Sequence, residues 1–420
     1  MGIYKFSLKM LKINFKQGFS YLLSVIFPIV IIFNLLNIMN NRNFNIKGQV
    51  GRFDVPGSII FFLTLLICIF TFYANSYFVM SKSKQMAIEE LSGVWPGRLA
   101  VILLFENGII ELIGCAIGIF IGILLMPEFL KLMYVVMGTN GSVFELSYSS
   151  IFETIGILII QLGYVCIGDY GYVYSREIIN LMNVNKSTHI PDTRFIKFNS
   201  RIYIITYLVP VVSLIIPMSP TKVALIGFVN MFFTVFGIQG VLRYYFPNKI
   251  LELKKEKYLS DKIKLISLSN VSKSFNQLKF LVITLAVTIE LLLCCIAMFQ
   301  NDARIKTICI ISYVAAIVMI AVSIIYKIVL DSDFKKNVFR QLILLGYSKK
   351  QLTKIIDQEL QIFYGITVGI PLFHILIFFI LFLKSNIISI SLTAIMLCVF
   401  LITFFITFII SHRVYKKLAF

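Results

Sequence analysis

Apolar residues along this chain fall in long blocks rather than at the spacing of amphipathic helices or strands. A block of about 18 or more apolar residues with almost no charge is long enough to cross a bilayer as a helix. Only helices satisfy their backbone hydrogen bonds inside such a block, so the pattern predicts an all-α, polytopic membrane protein with about ten transmembrane helices. The predicted spans are Leu22–Met39, Ser58–Met80, Leu99–Met126, Ile151–Ile167, Ile202–Met218, Val223–Leu242, Phe280–Gln300, Ile308–Val329, Leu360–Leu383 and Ile387–Ser411.

Composition and charge agree with this class of protein. Hydrophobic residues make up 59% of the chain, whereas soluble domains are about 45–50% apolar. The net charge of +19 could suggest nucleic acid, but the basic residues concentrate on alternate connecting segments, as the positive-inside rule requires. We therefore expect lipid headgroups and no nucleic acid as partners, a plasma-membrane location, and both termini in the cytoplasm.

The many Lys, Ile, Asn and Phe residues indicate AT-rich codon usage, which suggests a Gram-positive source. The first apolar block is predicted to be a permanent anchor rather than a cleavable signal peptide.

Motifs for metal binding, disulfide formation and catalysis are absent from the sequence. The cysteines lie in or beside predicted spans and form no CxxC pair, so we expect neither a metal site nor a disulfide framework. No GxxxxGK[ST] phosphate loop and no HExxH or nucleophile–base motif occurs. The chain is therefore not expected to be an enzyme or to hold a cofactor, and ATP with magnesium would bind a separate protein. The cysteines are Cys68, Cys115, Cys166, Cys294, Cys295, Cys309 and Cys398.

Two stretches of the chain repeat the same order of features. A shift of 253 positions, from Glu106 to Glu359, also aligns Leu91 with Leu344 and Gly93 with Gly346. After a slip of two residues it pairs Gly118-Ile119 with Gly369-Ile370. The repeat predicts a four-span module at 1–170, a loop with a two-span insert at 171–250, and a second four-span module at 251–420; repeated membrane modules often work as pseudo-symmetric pairs. The aligned stretches read "EELSGVWPGRLAVILLFENGIIELIGCAIGI" from Glu89 and "LILLGYSKKQLTKIIDQELQIFYGITVGI" from Leu342.

Each copy contains a charged segment on the predicted cytoplasmic side. Ser83–Leu91 and Phe334–Leu345 are predicted to be short helices that end at Gly93 and Gly346, after which a new helix enters the membrane. Such a helix–turn–helix could dock a partner protein or could be a solvated loop with snorkelling aromatic residues; its duplication favours docking. The candidate docking residues are Met86, Ile88, Leu91, Gly93 and Trp95 in the first copy, and Phe339, Leu342, Leu344, Gly346, Tyr347, Ser348, Lys349 and Lys350 in the second.

The second copy resembles the coupling region of FtsX-like ABC transporter permeases, in which LLG-x-S/T-KKQI precedes an apolar helix with an early Glu. In the first copy only Leu91, Gly93, Leu99 and Glu106 match, because Trp95-Pro96-Gly97 replaces the basic triplet. The order of spans is similar to that of bacitracin-resistance (Bce-type) permeases. In the second copy the matching positions are Leu344, Leu345, Gly346, Ser348, Lys349, Lys350, Gln351 and Glu359, with Leu352 in place of Ile.

The resemblance implies an ABC ATPase that docks beneath the membrane, and the duplication suggests two ATPase copies per permease. Bce-type systems also include a membrane histidine kinase.

This chain departs from these permeases in one feature, because they carry a large external domain between the seventh and eighth spans. Here that connection is only Asn301–Lys306.

Four carboxylates lie in or at the edge of predicted spans. Intramembrane carboxylates are costly and indicate a function or a specific partner. Glu106 and Glu359 occupy equivalent repeat positions, where pairing with a Lys or capping of backbone is favoured over ion transport. Glu290 could touch a substrate or another helix, and Glu111 completes the set.

Three functional hypotheses remain open at this point. The favoured one is a permease subunit that moves amphipathic peptides or lipid-linked compounds, for resistance, immunity or export, using ATP hydrolysed by a partner. The alternative is a non-transporting sensor that regulates a histidine kinase; ATP-dependent protection in cells lacking the kinase would separate the two. A membrane-embedded lipid enzyme would need polar catalytic groups at one membrane depth, and the sequence offers no convincing set.

Overall fold

The computed structural model describes residues 3–13, 15–44, 55–174, 199–213, 220–299 and 302–419. All regular structure in these ranges is helical, and eight of the helices are long and apolar enough to cross a membrane. The prediction of an all-α, polytopic membrane protein is confirmed. The count of ten spans and their arrangement stay predictions.

The chain divides into two compact units, Met1–Ile190 and Pro191–Phe420. In the first unit, α2 packs against α3, α4 and α5, and α5 also packs against α3 and α4. The short α1 lies against α4. The helices of this unit are α1 (Ile3–Ile13), α2 (Phe15–Asn40), α3 (Val55–Leu91), α4 (Pro96–Met137) and α5 (Tyr148–Tyr174).

Three glycines at four-residue spacing allow α4 to approach α2 closely. A Cβ placed at Gly114 would lie 2.8 Å from the Val25 side chain, and one at Gly118 would lie 2.8 Å from the Ile29 side chain. Gly122 meets Phe33 in the same way. Small residues at this spacing are the usual means by which membrane helices bring their backbones together. The repeat partner Gly369 has no atom within 4 Å of such a Cβ, so this packing is not shared by both copies.

In the second unit, α9 packs against α7, α10 and α11, while α12 packs against α10 and α11. The helices of the predicted two-span insert, α6 and α7, belong to this unit by their contacts. A π-helical turn at Val241–Tyr245 joins α7 to α8. The helices are α6 (Ser200–Ser213), α7 (Pro220–Gly240), α8 (Phe246–Glu256), α9 (Lys262–Met298), α10 (Ala303–Leu344), α11 (Lys349–Lys384) and α12 (Ile390–Ala419).

The structure differs from the predicted elements at several boundaries. The charged segments predicted as separate short helices are instead the continuous ends of α3 and α10, because neither Gly nor Pro interrupts the chain before Gly93 or Gly346. The predicted fifth span, Ile202–Met218, is described only as far as Ser213, and Pro217 lies outside the described residues. Between α9 and α10, Asp302 begins the next helix by accepting hydrogen bonds from the backbone N–H groups of Arg304 and Ile305 at 3.0 and 3.2 Å.

Candidate coupling site

Both units contain a helical hairpin of the same construction. We name residues 82–106 the first coupling element and residues 335–359 the second. Each consists of the end of one long helix, a turn of a few residues, and the start of the next long helix.

The turn is a Schellman motif in both elements. In the first, the N–H of Val94 donates to the carbonyl of Glu89 at 3.1 Å, and the N–H of Gly93 donates to the carbonyl of Glu90 at 2.9 Å. In the second, Tyr347 donates to Leu342 at 3.0 Å and Gly346 donates to Ile343 at 2.9 Å.

Gly93 and Gly346 have φ values of +88° and +91°. This left-handed conformation at the residue after the helix end is the one that glycine adopts without steric cost. The two predicted glycines therefore lie at equivalent positions of equivalent turns.

The start of the following helix differs between the elements. Ser348 and Gln351 form a capping box: the Ser348 N–H donates to Gln351 Oε1 at 2.9 Å, and the Gln351 N–H donates to Ser348 Oγ at 3.3 Å. Trp95 provides no side-chain cap for α4, and Pro96 occupies the first helical position instead, where its missing N–H costs nothing. Lys349 and Lys350 are exposed in the first turn of α11.

The apolar residues predicted to face a partner separate into two groups. Leu91, Ile88 and Trp95 are 61–69% exposed, and Leu344 is 83% exposed. Leu342 and Tyr347 are half-buried, and Leu345 is exposed.

Met86 and Phe339, which occupy equivalent repeat positions, are only 3% and 1% exposed. Met86 belongs to a core cluster with Leu99, Leu103 and Val173, and the Phe339 ring lies 6.1 Å from that of Tyr415. These two residues therefore hold the element against its own unit and do not offer a contact surface to a partner in this structure.

An ion pair links the two arms of each element at its membrane end. Lys82 of α3 pairs with Glu106 of α4, and both side chains are buried. Lys335 of α10 pairs with Glu359 of α11. Glu359 also accepts hydrogen bonds from Asn270 Nδ2 at 2.9 Å and from the Tyr415 hydroxyl at 3.2 Å.

Burial opposes the charge of Lys335, but the carboxylates of Glu359 and Asp331 outweigh it and raise the pKa of the Lys335 ammonium. The Lys335 ammonium is therefore charged at neutral pH. Truncation of either partner would leave a poorly solvated charge at the junction of the two helices.

Two acidic residues of the predicted set have other surroundings. Glu111 is buried, and one of its oxygens accepts a hydrogen bond from the Tyr21 hydroxyl at 3.3 Å. Glu290 is 1% exposed and faces the Thr234 hydroxyl of α7. Among the described residues, neither Glu290 oxygen has a hydrogen bond of ordinary geometry, and the same holds for Nε2 of the buried His374.

Sequence reasoning missed several buried polar residues. Asp169 of α5 accepts hydrogen bonds from the side-chain amides of Asn75 and Asn107. Lys327 of α10 is fully buried and lies 3.4 Å from Asp331. A long apolar span masks a single Asp, Asn or Lys in an averaged hydropathy profile, so only a search for isolated polar residues could have found them.

All seven cysteines are free thiols.

No family model matches the chain. The chain is, however, similar to curated bacitracin export permeases. It is 23% identical over 194 residues to the bacitracin export permease protein BceB of Halalkalibacterium halodurans, and 22% identical over 190 residues to BceB of Bacillus subtilis. Each match covers 45% of this chain and 29% of the relative.

The similarity to these two relatives is a distant homology. The chain matches less than a third of the length of either relative.

Proposed function

We propose that this chain is the membrane subunit of an ATP-driven ABC transporter, with ATP hydrolysed by a separate subunit that docks on the coupling elements. The observation that carries the proposal is the duplicated hairpin, in which a Schellman turn displays an exposed leucine (Leu91 or Leu344) and a buried Lys–Glu pair ties the hairpin to the membrane helices. The distant similarity to bacitracin export permeases supports the same class of protein.

The geometry of the elements suits mechanical transmission. From Lys82 to Leu91 the end of α3 extends by about 14 Å, given the rise of about 1.5 Å per residue. The helix is continuous across this length, so a force on the turn is carried into the membrane part of α3. The capped start of α11 and its partner α10 form the corresponding path in the second unit.

Two coupling elements per chain lead us to propose two ATPase copies per permease. The elements differ in chemistry: the second presents Lys349 and Lys350 beside Leu344, whereas the first presents Trp95 beside Leu91. We expect the second element to depend more strongly on salt, because exposed charge pairs are screened by ions.

The cargo proposed for this permease is an amphipathic peptide or a lipid-linked compound, moved for resistance, immunity or export. This class of compound would reach the chain from within or beside the bilayer, and the helices present broad apolar faces there. The proposed location is the plasma membrane of a Gram-positive bacterium, with both termini in the cytoplasm.

The test is charge reversal at the second element. The variant Lys349→Glu/Lys350→Glu is co-expressed with a candidate ABC ATPase, and co-purification and ATP turnover are measured in lipid nanodiscs. We expect both to fall strongly. The matched control is Lys255→Glu/Lys257→Glu, which reverses two exposed lysines at the end of α8. Equal behaviour of the two variants would contradict the assignment of the coupling element.

A further inference from the structure

The first unit contains a buried polar cluster to which four helices contribute. Asn75 lies on α3 two helical turns before Lys82, Asn107 directly follows Glu106 on α4, and Asp169 lies on α5. Asn75 Nδ2 donates to Asp169 Oδ1 at 2.6 Å, and Asn107 Nδ2 donates to Asn75 Oδ1 at 2.9 Å and to Asp169 Oδ2. Glu111, one turn beyond Asn107 on α4, accepts from Tyr21 on α2.

The charges of this cluster do not balance among the described side chains. Glu106, Glu111 and Asp169 are 1–3% exposed, and the buried cation beside them is Lys82. On α1, which also packs on α4, Lys5, Lys9 and Lys12 are exposed; Lys16 lies outside the described side chains.

Three acceptor atoms in the cluster also lack a donor. In the described part of the chain, Glu106 Oε1, Asn107 Oδ1 and Glu111 Oε2 have no hydrogen-bond partner although they are buried. A buried acceptor without a donor, like a buried charge without a counterion, is costly. Adding a positively charged hydrogen-bond donor would relieve both the excess negative charge and the lack of donors for these acceptors.

The described side chains of the second unit show no such surplus around the equivalent Lys–Glu pair. Lys327 and Lys335 lie beside Asp331 and Glu359, so cations and carboxylates are equal in number. The repeat shift of 253 positions places Tyr364 where the first unit has Glu111, and Leu360 where it has Asn107. The extra carboxylates are therefore not part of the duplicated coupling element and need an explanation of their own.

We propose that Glu111 is a proton-binding site within the membrane part of the first unit. Glu106 is paired with Lys82, and both oxygens of Asp169 accept hydrogen bonds from side-chain amides, which favours their ionised forms. Glu111 has a single hydrogen bond, from the neutral Tyr21 hydroxyl. A proton on Glu111 Oε2 removes one charge and creates a donor one helical turn from the unpartnered Asn107 Oδ1.

A proton fits this site better than a metal ion does. The described residues contain no group of three or more His, Cys, Asp or Glu side chains arranged to hold a metal. Among the described residues, the Cys166 thiol on α5 and Glu89 at the inner end of α3 are further titratable neighbours. The proposal concerns the chain alone and does not depend on the docking of an ATPase.

The first experiment records difference infrared spectra of the full chain in nanodiscs across a pH titration. We expect a protonated-carboxyl band at neutral pH that is lost in Glu111→Gln and kept in Glu128→Gln. Glu128 is the matched control because it is exposed near the far end of the same helix. A band that is unchanged in Glu111→Gln would overturn the proposal. So would a band that is displaced by sodium but not by choline at constant pH, because that result indicates a metal-ion site.

A second measurement needs no variant and so does not depend on the folding of Glu111→Gln. Dicyclohexylcarbodiimide modifies protonated carboxyls in apolar surroundings, and peptide mapping by mass spectrometry locates the product. We expect modification at Glu111 that falls about tenfold per pH unit above its titration point, with Asp169 and Glu128 unmodified. Absence of modification at Glu111 throughout the titration would contradict the proposal.

Discussion

Lys335 and Glu359 form an ion pair 24 positions apart, and Lys82 and Glu106 form the same pair at the same separation in the other unit. Each pair joins the end of one long helix to the start of the next, on the membrane side of a Schellman turn. The pair is thus part of the hairpin's construction, and it lies between the proposed docking surface and the membrane helices.

Removal of one partner of the second pair should destabilise the protein. Glu359→Gln leaves Lys335 without its main counterion, and breaking a buried pair in this way costs about 3–5 kcal/mol. We expect a clear fall in the thermal unfolding midpoint of the purified protein, measured by intrinsic fluorescence. Lys336→Met, which removes the exposed neighbouring charge, is the control; it should change the free energy of unfolding by no more than about 0.5 kcal/mol and leave the midpoint close to that of wild type. Similar midpoints for the two variants would exclude a structural role for the pair.

The turn glycines should be intolerant of any side chain. Gly346→Ala forces a Cβ into the left-handed region, which costs about 1 kcal/mol. Gly365→Ala is the matched control, because this glycine lies inside α11 with open space around its Cβ position and gains helix propensity of about 0.5–1 kcal/mol. Denaturation experiments should therefore show a lower free energy of unfolding for Gly346→Ala and a higher one for Gly365→Ala. A change in the same direction for both variants would contradict the turn geometry.

The close approach of α2 and α4 predicts a different response at two aligned glycines. Gly118→Ala places a Cβ 2.8 Å from Ile29 Cγ2, and such overpacking costs about 1–3 kcal/mol. Gly369→Ala meets open space and should be neutral or stabilising. Comparison of unfolding midpoints for both variants tests this packing; a harmless Gly118→Ala would mean that the helices are farther apart.

Much of the fold follows from the sequence because long apolar blocks leave few alternatives to membrane helices. The glycine turns could also be predicted, because a helix that is followed by Gly and then by a second helix commonly ends with that Gly in the left-handed conformation. For Glu106 and Glu359, pairing with a Lys or capping of backbone could be expected from the sequence, but the partners Lys82 and Lys335 were not identified from it. The burial of Met86 and Phe339 could not be predicted, because an amphipathic segment does not reveal which apolar side chains its own unit covers.

The buried cluster of Asn75, Asn107 and Asp169 is beyond sequence reasoning for a physical reason. These residues come from three helices, and their side chains meet only because the helices pack at one register. Hydropathy averaged along one helix carries no information about that register. The imbalance of charge is likewise a property of the assembled unit rather than of any segment.

The number of docking sites can be tested separately at each element. Leu91→Asp and Leu344→Asp each place a charge on one exposed apolar turn while leaving the other intact. We expect either single variant to bind about half as much ATPase as wild type at saturation, if each turn holds one copy, and the double variant to bind almost none. Binding that is lost in full with one variant and unaffected by the other would contradict two equivalent sites.

The central claim is that both coupling elements dock an ATPase, and the mass of the purified complex tests it most directly. Native mass spectrometry of the chain with the co-expressed ABC ATPase should give two ATPase copies per chain for wild type and one for Leu344→Asp. A complex that contains no ATPase, or whose ATPase content is the same in wild type and in the Leu91→Asp/Leu344→Asp double variant, would contradict the account.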